Sequence, residues 1–158
     1  MESVSGMSIR SAKPGDGPAL TALARASKRA WGYPDEWMAT FSKRLVVDDA
    51  RIASARVRVA VDDDDVALGF SVATLERDEA HLDDLWISPT AQRQGIGRLL
   101  LDDVLAWARS YGATVVTWQS DPHADAFYLK VGARQTGTKP APMPGAPERT
   151  LALFRVEL

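Results

Sequence analysis

Apolar positions along this chain switch repeatedly between a two-residue and a three-to-four-residue spacing, which predicts strands alternating with helices. Met7–Ala12 reads as a first strand, broken by Pro14 and Gly15. Asp16 is placed to cap a helix running to about Ala30, with Leu20, Leu23, Ala24 and Ser27 on its apolar face. Gly32–Pro34 interrupts it, and Pro34 suits the first turn of a second helix through Trp37, Phe41 and Leu45. Asp48–Ala55 is ambiguous and fits a short helical turn. Arg56–Val61 and Val66–Leu75 read as a hairpin about the acidic turn Asp62–Asp65, and Ala80–Ile87 as another strand ended by Ser88-Pro89. Gly97–Tyr111 is the strongest helix: Leu100, Val104 and Trp107 join Leu101, Leu105 and Ala108 in one broad apolar face, and Gly112 stops it. Thr114–Gln119 then reads as a buried strand, Pro122–Val131 as a helix closed by Gly132, and Ala133–Thr138 as a short strand. Lys139–Pro147 carries four prolines and reads as a loop before a final strand, Thr150–Glu157. Such alternation predicts a mixed α/β layer fold, with no repeat and no domain boundary over residues 1–158.

Composition narrows the class of function. At 158 residues, 46% hydrophobic and 25% charged with a net charge of −2, the chain lacks the basic excess of a duplex-binding protein, so no nucleic acid partner is expected. It has no cysteine, which removes disulfides, thiolate metal sites and a cysteine nucleophile. The four aspartates of Asp62–Asp65 lack the spacing of a calcium loop and read as a solvated turn, so no metal is expected. No apolar run approaches the ~18 residues of a membrane span and no signal-peptide pattern opens the chain, so a cytoplasmic protein without membrane contact is expected. Residues 1–6 read as a loose start.

The informative stretch is QRQGIGRLL, Gln92–Leu100, where two glycines one residue apart open the strongest helix. Glycine is a poor helix former, so the backbone must need conformations or approaches that a side chain would prevent. Glycines between a strand and a helix commonly serve phosphates, because the helix start offers free N–H groups and a positive dipole end. The chain has no Gly-Lys-Ser/Thr phosphate loop, and a dinucleotide G-x-G-x-x-G fails at Leu100. It does match Q/R-x-x-G-x-G/A, through Gln92, Gly95 and Gly97.

With HLDDLWISP before that motif and DPHADAFYLKVGA after it, the chain resembles the GNAT superfamily of acyl-CoA N-acetyltransferases, in a bacterial branch of unassigned substrate. The later segment matches the family's second motif through Ala124, Phe127, Tyr128 and Gly132. The resemblance implies a mixed, mostly antiparallel twisted sheet of about seven strands with splayed central strands, flanked by about four helices. It implies acetyl-CoA as cosubstrate, its pyrophosphate wrapped by backbone amides of Gln92, Arg93, Gln94, Gly95, Ile96, Gly97 and Arg98. It also implies an oxyanion-binding N–H and pantetheine pairing along Leu85, Trp86 and Ile87, and Tyr128 as the acid that meets the departing thiolate. A phenol of pKa ~10 can protonate a thiolate of pKa ~8.5 in a dry site. His81 and Asp83, two apart on one strand, share a face; they are candidate general bases, with an ordinary solvated face as the alternative. Asp121 stands where the family carries asparagine, so its contact to the pantetheine competes with a plain cap-and-turn role before Pro122. Trp31 and Tyr33, at the break between the first two helices, are candidate walls for the acceptor, while Trp37 is expected to fill the core. The implied reaction is acetyl transfer to the primary amine of a small or amino-acid-like acceptor by direct attack. A catalytically weak CoA-binding sensor or partner-binding module is the alternative, and a homodimer is suggested by analogy with the family.

Overall fold

Between Arg56 and Asp62 the sequence RVRVAVD places valine at every second position, and that alternation is what the backbone adopts. A computed structural model describes Ser3, Val4 and residues 6–158; residues 1, 2 and 5 of the expected loose start lie outside the described residues, while Ser3–Val4 forms a short strand, β1, paired with Met7 and Ser8. The following elements are β2 (Met7–Ser11), α1 (Gly17–Arg29), α2 (Asp35–Arg44), α3 (Asp49–Ser54), β3 (Arg56–Asp62), β4 (Ala67–Glu76), β5 (Glu79–Ile87), α4 (Ile96–Ser110), β6 (Val115–Ser120), α5 (Asp125–Lys130), β7 (Arg134–Pro140) and β8 (Thr150–Glu157). They form two compact units, one reaching through Ala73 and including Asp84–Val104, the other comprising Thr74–Asp83 and Leu105–Leu158.

In the first unit, strands follow the order β1-β2-β3-β4-β5, with β2–β3 and β3–β4 antiparallel. Val57, Val59 and Val61 pack with Phe70 and Val72 against Leu20, Leu23 and Ala24 of α1, whose predicted apolar face is therefore the one buried. Ala60 points the other way, with Met7 and Ile9, onto Ile96 and Leu100 of α4. Fully burying side chains of this size contributes about 1.5–3 kcal/mol each, which ties both helices to the sheet.

Gly69 on β4 marks a close backbone approach: a Cβ there would lie 2.8 Å from the Trp86 carbonyl oxygen and 2.9 Å from Ile87 Cδ1. The Ile87 methyl ends a side chain and can give way, but the Trp86 oxygen is backbone and cannot. Gly69→Ala is expected to destabilise the protein by about 1–3 kcal/mol in a denaturant melt through overpacking, and an unchanged midpoint would contradict the approach.

In the second unit the order is β5-β6-β8-β7. The β5–β6 ladder is parallel and covers only Glu79–His81 against Val115–Thr117, where it stops, whereas β6 pairs antiparallel with β8 as far as Ser120. Trp118, Tyr128 and Phe154 make its aromatic core, with ring centroids 5.0–6.1 Å apart.

Several expectations need correction. Asp16 makes no side-chain cap to α1; its carboxylate instead takes the Arg10 guanidinium at 2.8 Å and the Lys13 N–H at 2.9 Å. Pro34 lies just outside α2 rather than in its first turn. The predicted helix Pro122–Val131 divides into a 3₁₀ turn, Pro122–Ala124, and α5. Strand β7 runs into the proline loop, with Lys139 and Pro140 paired to Leu151 and Thr150. Proline is tolerated there because β7 is an edge strand. Met38 and Phe41, not Trp37, are the α2 residues that fill the core; Trp37 is half-buried and stacked on Tyr33 at 5.6 Å.

The Arg10 contact holds the Asp16 carboxyl below its ordinary value of 3.8. A group whose folded pKa is depressed adds stability that is present above its unfolded pKa and lost as pH falls through the folded one. Asp16→Asn is therefore expected to cost about 1 kcal/mol at pH 7, with the difference from the parent shrinking steadily below pH 3.8. A gap that persists unchanged in acid would contradict that assignment.

Candidate functional site

The loop Gln92–Gly95 is exposed and lies between the buried Ala91 and the buried Ile96. Two residues in it have left-handed backbone, Arg93 at φ 63° and Gly95 at φ 78°. Around Gly95 a Cβ would meet no atom within 4 Å, so space stands open over the backbone where a ligand could approach. Gly97 has no such backbone and is the second residue of α4. α4 is fifteen residues long and its first ladder bond runs from the Leu99 N–H to the Gly95 carbonyl, which leaves the N–H groups of the first turn without helical partners. Left-handed residues followed by free helix-start N–H groups form a concave set of donors suited to phosphate oxygens. A CoA pyrophosphate fits that donor set.

Side chains of the loop hold it in place. The Gln92 amide donates to the carbonyls of Ile87 at 3.0 Å and Ser88 at 3.4 Å, tying the loop to the end of β5. Arg98 pairs with Asp102, one turn along α4, at 3.1 Å. The Ile87 carbonyl also accepts the Ser27 hydroxyl at 2.8 Å, so α1 is fixed to the same strand end.

On β5, Leu85 and Ile87 pack toward α4 whereas Trp86 packs with the α1 side. The Trp86 indole N–H donates to Asp84 at 2.8 Å, and Asp84 also pairs with Arg51 of α3. Trp31 lies 5.5 Å from Trp86, centroid to centroid, and Tyr33 lies 5.2 Å from Phe41. The two predicted acceptor-wall residues thus lie in two ring groups, Trp31 with Trp86 and Tyr33 with Trp37 and Phe41. Lys28, which the sequence reading passed over, is buried beside these rings at 8% exposure. Its signal was present: Leu20, Ala24 and Lys28 recur every four residues, so lysine occupies a position on the buried stripe.

In the second unit, His81 and Asp83 do share a face, with Nε2 and Oδ1 3.6 Å apart. His81 Nδ1 lies 3.1 Å from the Thr117 hydroxyl, and Thr74 donates to Asp83 at 3.3 Å. Tyr128 sits on α5, buried at 6% exposure among Trp118, Phe127 and Phe154. Asp121 takes up the cap role: its carboxylate accepts the His123 backbone N–H at 2.9 Å, contacts the His123 ring at 2.9 Å, and faces Arg149 at 3.6 Å. Asp121 therefore orders the turn that leads into the Tyr128 helix.

Among the described residues no group of three or more metal-ligating side chains gathers, and no helix is long and apolar enough to cross a membrane. A separate cleft of about 590 Å³ opens beside the start of α1, lined by Gly15, Thr21, Arg25, Asp48 and Asp49 among others; it contains none of the predicted residues.

Comparison with known proteins identifies the family and the fold. Residues 18–133 match the model of the acetyltransferase (GNAT) family. The chain is 34% identical over 103 residues, 65% of its own length and 67% of the relative's, to the peptidyl-lysine N-acetyltransferase YjaB of Salmonella typhimurium. Its fold matches a GCN5-related N-acetyltransferase from Rhodopseudomonas palustris with a TM-score of 0.81 at 22% identity, covering 100% of this chain and 99% of the other. It also matches the PaiA N-acetyltransferase of Thermoplasma acidophilum, solved in complex with coenzyme A, with a TM-score of 0.76 at 18% identity over 96% of this chain and 99% of the other.

Proposed function

Because the chain belongs to the acetyltransferase (GNAT) family and is an acyl-CoA-dependent N-acyltransferase, we propose that it transfers an acetyl group from acetyl-CoA to a primary amine by direct attack. The loop Arg93–Gly95 opening into α4 is the observation that carries this reading, since its left-handed backbone and free N–H groups suit a pyrophosphate. Gln92–Arg98 would hold that pyrophosphate through backbone amides, with charge added by Arg93 and Arg98. Gln92 keeps the loop on the strand end through Ile87 and Ser88.

The chemistry has three requirements, and each has a residue in this reading. The amine nitrogen attacks the thioester carbonyl and must first lose a proton; His81 and Asp83 are the relay, with Thr117 and Thr74 orienting them. Negative charge then develops on the carbonyl oxygen, and a backbone N–H within Leu85–Ile87 stabilises it. The carbon–sulfur bond breaks, and Tyr128 gives its phenolic proton to the thiolate. Asp121, committed to His123 and Arg149, contributes by fixing the turn before Tyr128 rather than by a side-chain contact to the pantetheine.

For the acceptor we propose a small or amino-acid-like primary amine whose stem rests on Trp31 and Tyr33. A lysine side chain of a protein is the second reading, favoured by the name of the 34% identical relative. Both present the same alkylamine to the thioester. Measuring CoA release with free amines, amino acids and a lysine peptide in parallel separates them: release with the peptide alone would overturn the small-acceptor version. We place the reaction within residues 1–158 as one functional domain, on a monomer or a homodimer.

A further inference from the structure

Lys28 lies in the last turn of α1 with only 8% of its surface exposed, in a position where a leucine or methionine would cost less to bury. Its ammonium lies 4.0 Å from the centroid of Phe41, 5.3 Å from Tyr33, and 5.9 Å from both Trp31 and Trp86. All four distances fall within the range over which a cation is attracted to a ring face. Those rings come from three separate stretches: the turn after α1, α2 and β5. One ammonium therefore holds together segments that no strand or helix joins. Trp86 is fixed independently, through its N–H to Asp84 and the pairing of Asp84 with Arg51. Trp31, 5.5 Å from Trp86, and Tyr33, stacked at 5.6 Å on Trp37, both lie within reach of that ammonium. A purely apolar cluster would bury as much area but would leave the ring planes freer to slide, because hydrophobic contact is not directional.

We propose that Lys28 is the positioning residue of the acceptor wall, setting the planes of Trp31 and Tyr33 against Trp86 so that the wall selects amines by the apolar stem behind the nitrogen. This rests on the reading of Trp31 and Tyr33 as that wall. The faces that point at the Lys28 ammonium are already engaged by a cation, so the wall recognises the acceptor's stem, not its charge. The residue that distinguishes one amine from another is then a lysine that never touches the reacting atoms.

Steady-state kinetics with phenethylamine and ethylamine test this, using the full chain, Lys28→Met, Lys28→Arg and Phe41→Leu, with acetyl-CoA affinity measured by calorimetry for each. Removing the four ring contacts of the ammonium is expected to raise the KM for phenethylamine about tenfold in Lys28→Met. The KM for ethylamine, kcat and acetyl-CoA affinity stay within about twofold, and Lys28→Arg restores most of the loss because a guanidinium also stacks on rings. Phe41→Leu, which leaves the lysine in place, shifts the phenethylamine KM in the same direction and covers the case in which Lys28→Met does not fold. An active Lys28→Met with an unchanged phenethylamine KM overturns the proposal and leaves the acetyltransferase reading intact. So does a variant whose KM for both amines, kcat and acetyl-CoA affinity all worsen together, since that is general loosening. A parent enzyme that binds acetyl-CoA but releases CoA with neither amine overturns the acceptor-wall reading, and this proposal falls with it.

Discussion

Replacing Tyr128 by phenylalanine is expected to lower kcat by about two to three orders of magnitude, the usual contribution of a positioned proton donor, while the affinity for acetyl-CoA stays within about twofold. The change removes one oxygen from a ring buried against Trp118 and Phe154, and leaves that packing in place. A fall in kcat with intact binding separates loss of the acid from loss of the fold. The thiolate then leaves without a proton and must be stabilised by solvent or by the remaining dipoles. A thioester with a more acidic thiol leaving group needs less help, so the deficit should shrink for such a substrate. If Tyr128→Phe turns over at the parental rate, Tyr128 is a packing residue and the proton comes from elsewhere.

Gly95→Trp is expected to weaken CoA binding by at least about a hundredfold, because two backbone N–H bonds to a charged phosphate are worth about 1.5–3 kcal/mol each and a bulky side chain over the loop blocks them. The backbone at Gly95 is at φ 78°, so any side chain also carries a conformational cost there of about 1–2 kcal/mol. Gly95→Ala isolates that cost: it strains the loop but leaves most of the open space, so its CoA affinity should fall far less than that of Gly95→Trp. Gly97 gives a useful contrast. It sits inside α4 without left-handed backbone, and Gly97→Ala improves helix propensity by about 1 kcal/mol. Equal losses at 95 and 97 would mean that helix disruption, not access to the loop amides, explains both.

The features legible in the sequence are those governed by local chemistry. The alternation of β3, the Leu20–Leu23–Ala24 face of α1 and the limits of β8 follow directly from side-chain period. The left-handed Gly95 is where glycine was argued to be needed, although its companion at 97 turned out to be an ordinary helical residue. The pairing of His81 with Asp83 follows from strand geometry alone.

What was not legible depends on partners distant in sequence. Asp16 had every local mark of a helix cap, but Arg10 and the Lys13 N–H compete for the same carboxylate and take it. Asp84 and Arg51 are 33 residues apart, and nothing in either neighbourhood announces the pair. Pro140 reads as a loop residue until β7 is known to be an edge strand, where a missing N–H costs nothing. Lys28 is the plainest case. Its spacing from Leu20 and Ala24 pointed inward, but only the fold shows that the interior there is lined with rings able to accept a cation.

The measurement that bears most directly on the central claim is release of CoA thiol from acetyl-CoA by the purified 158-residue chain, with and without a panel of primary amines, with the products weighed by mass spectrometry. The account predicts release that requires both acetyl-CoA and an amine, equimolar with an acetylated amine, and greatly reduced in Gly95→Trp. Tight CoA binding with no amine-dependent release from any acceptor, lysine peptide included, would contradict it, and would instead describe a protein that senses CoA without turning it over.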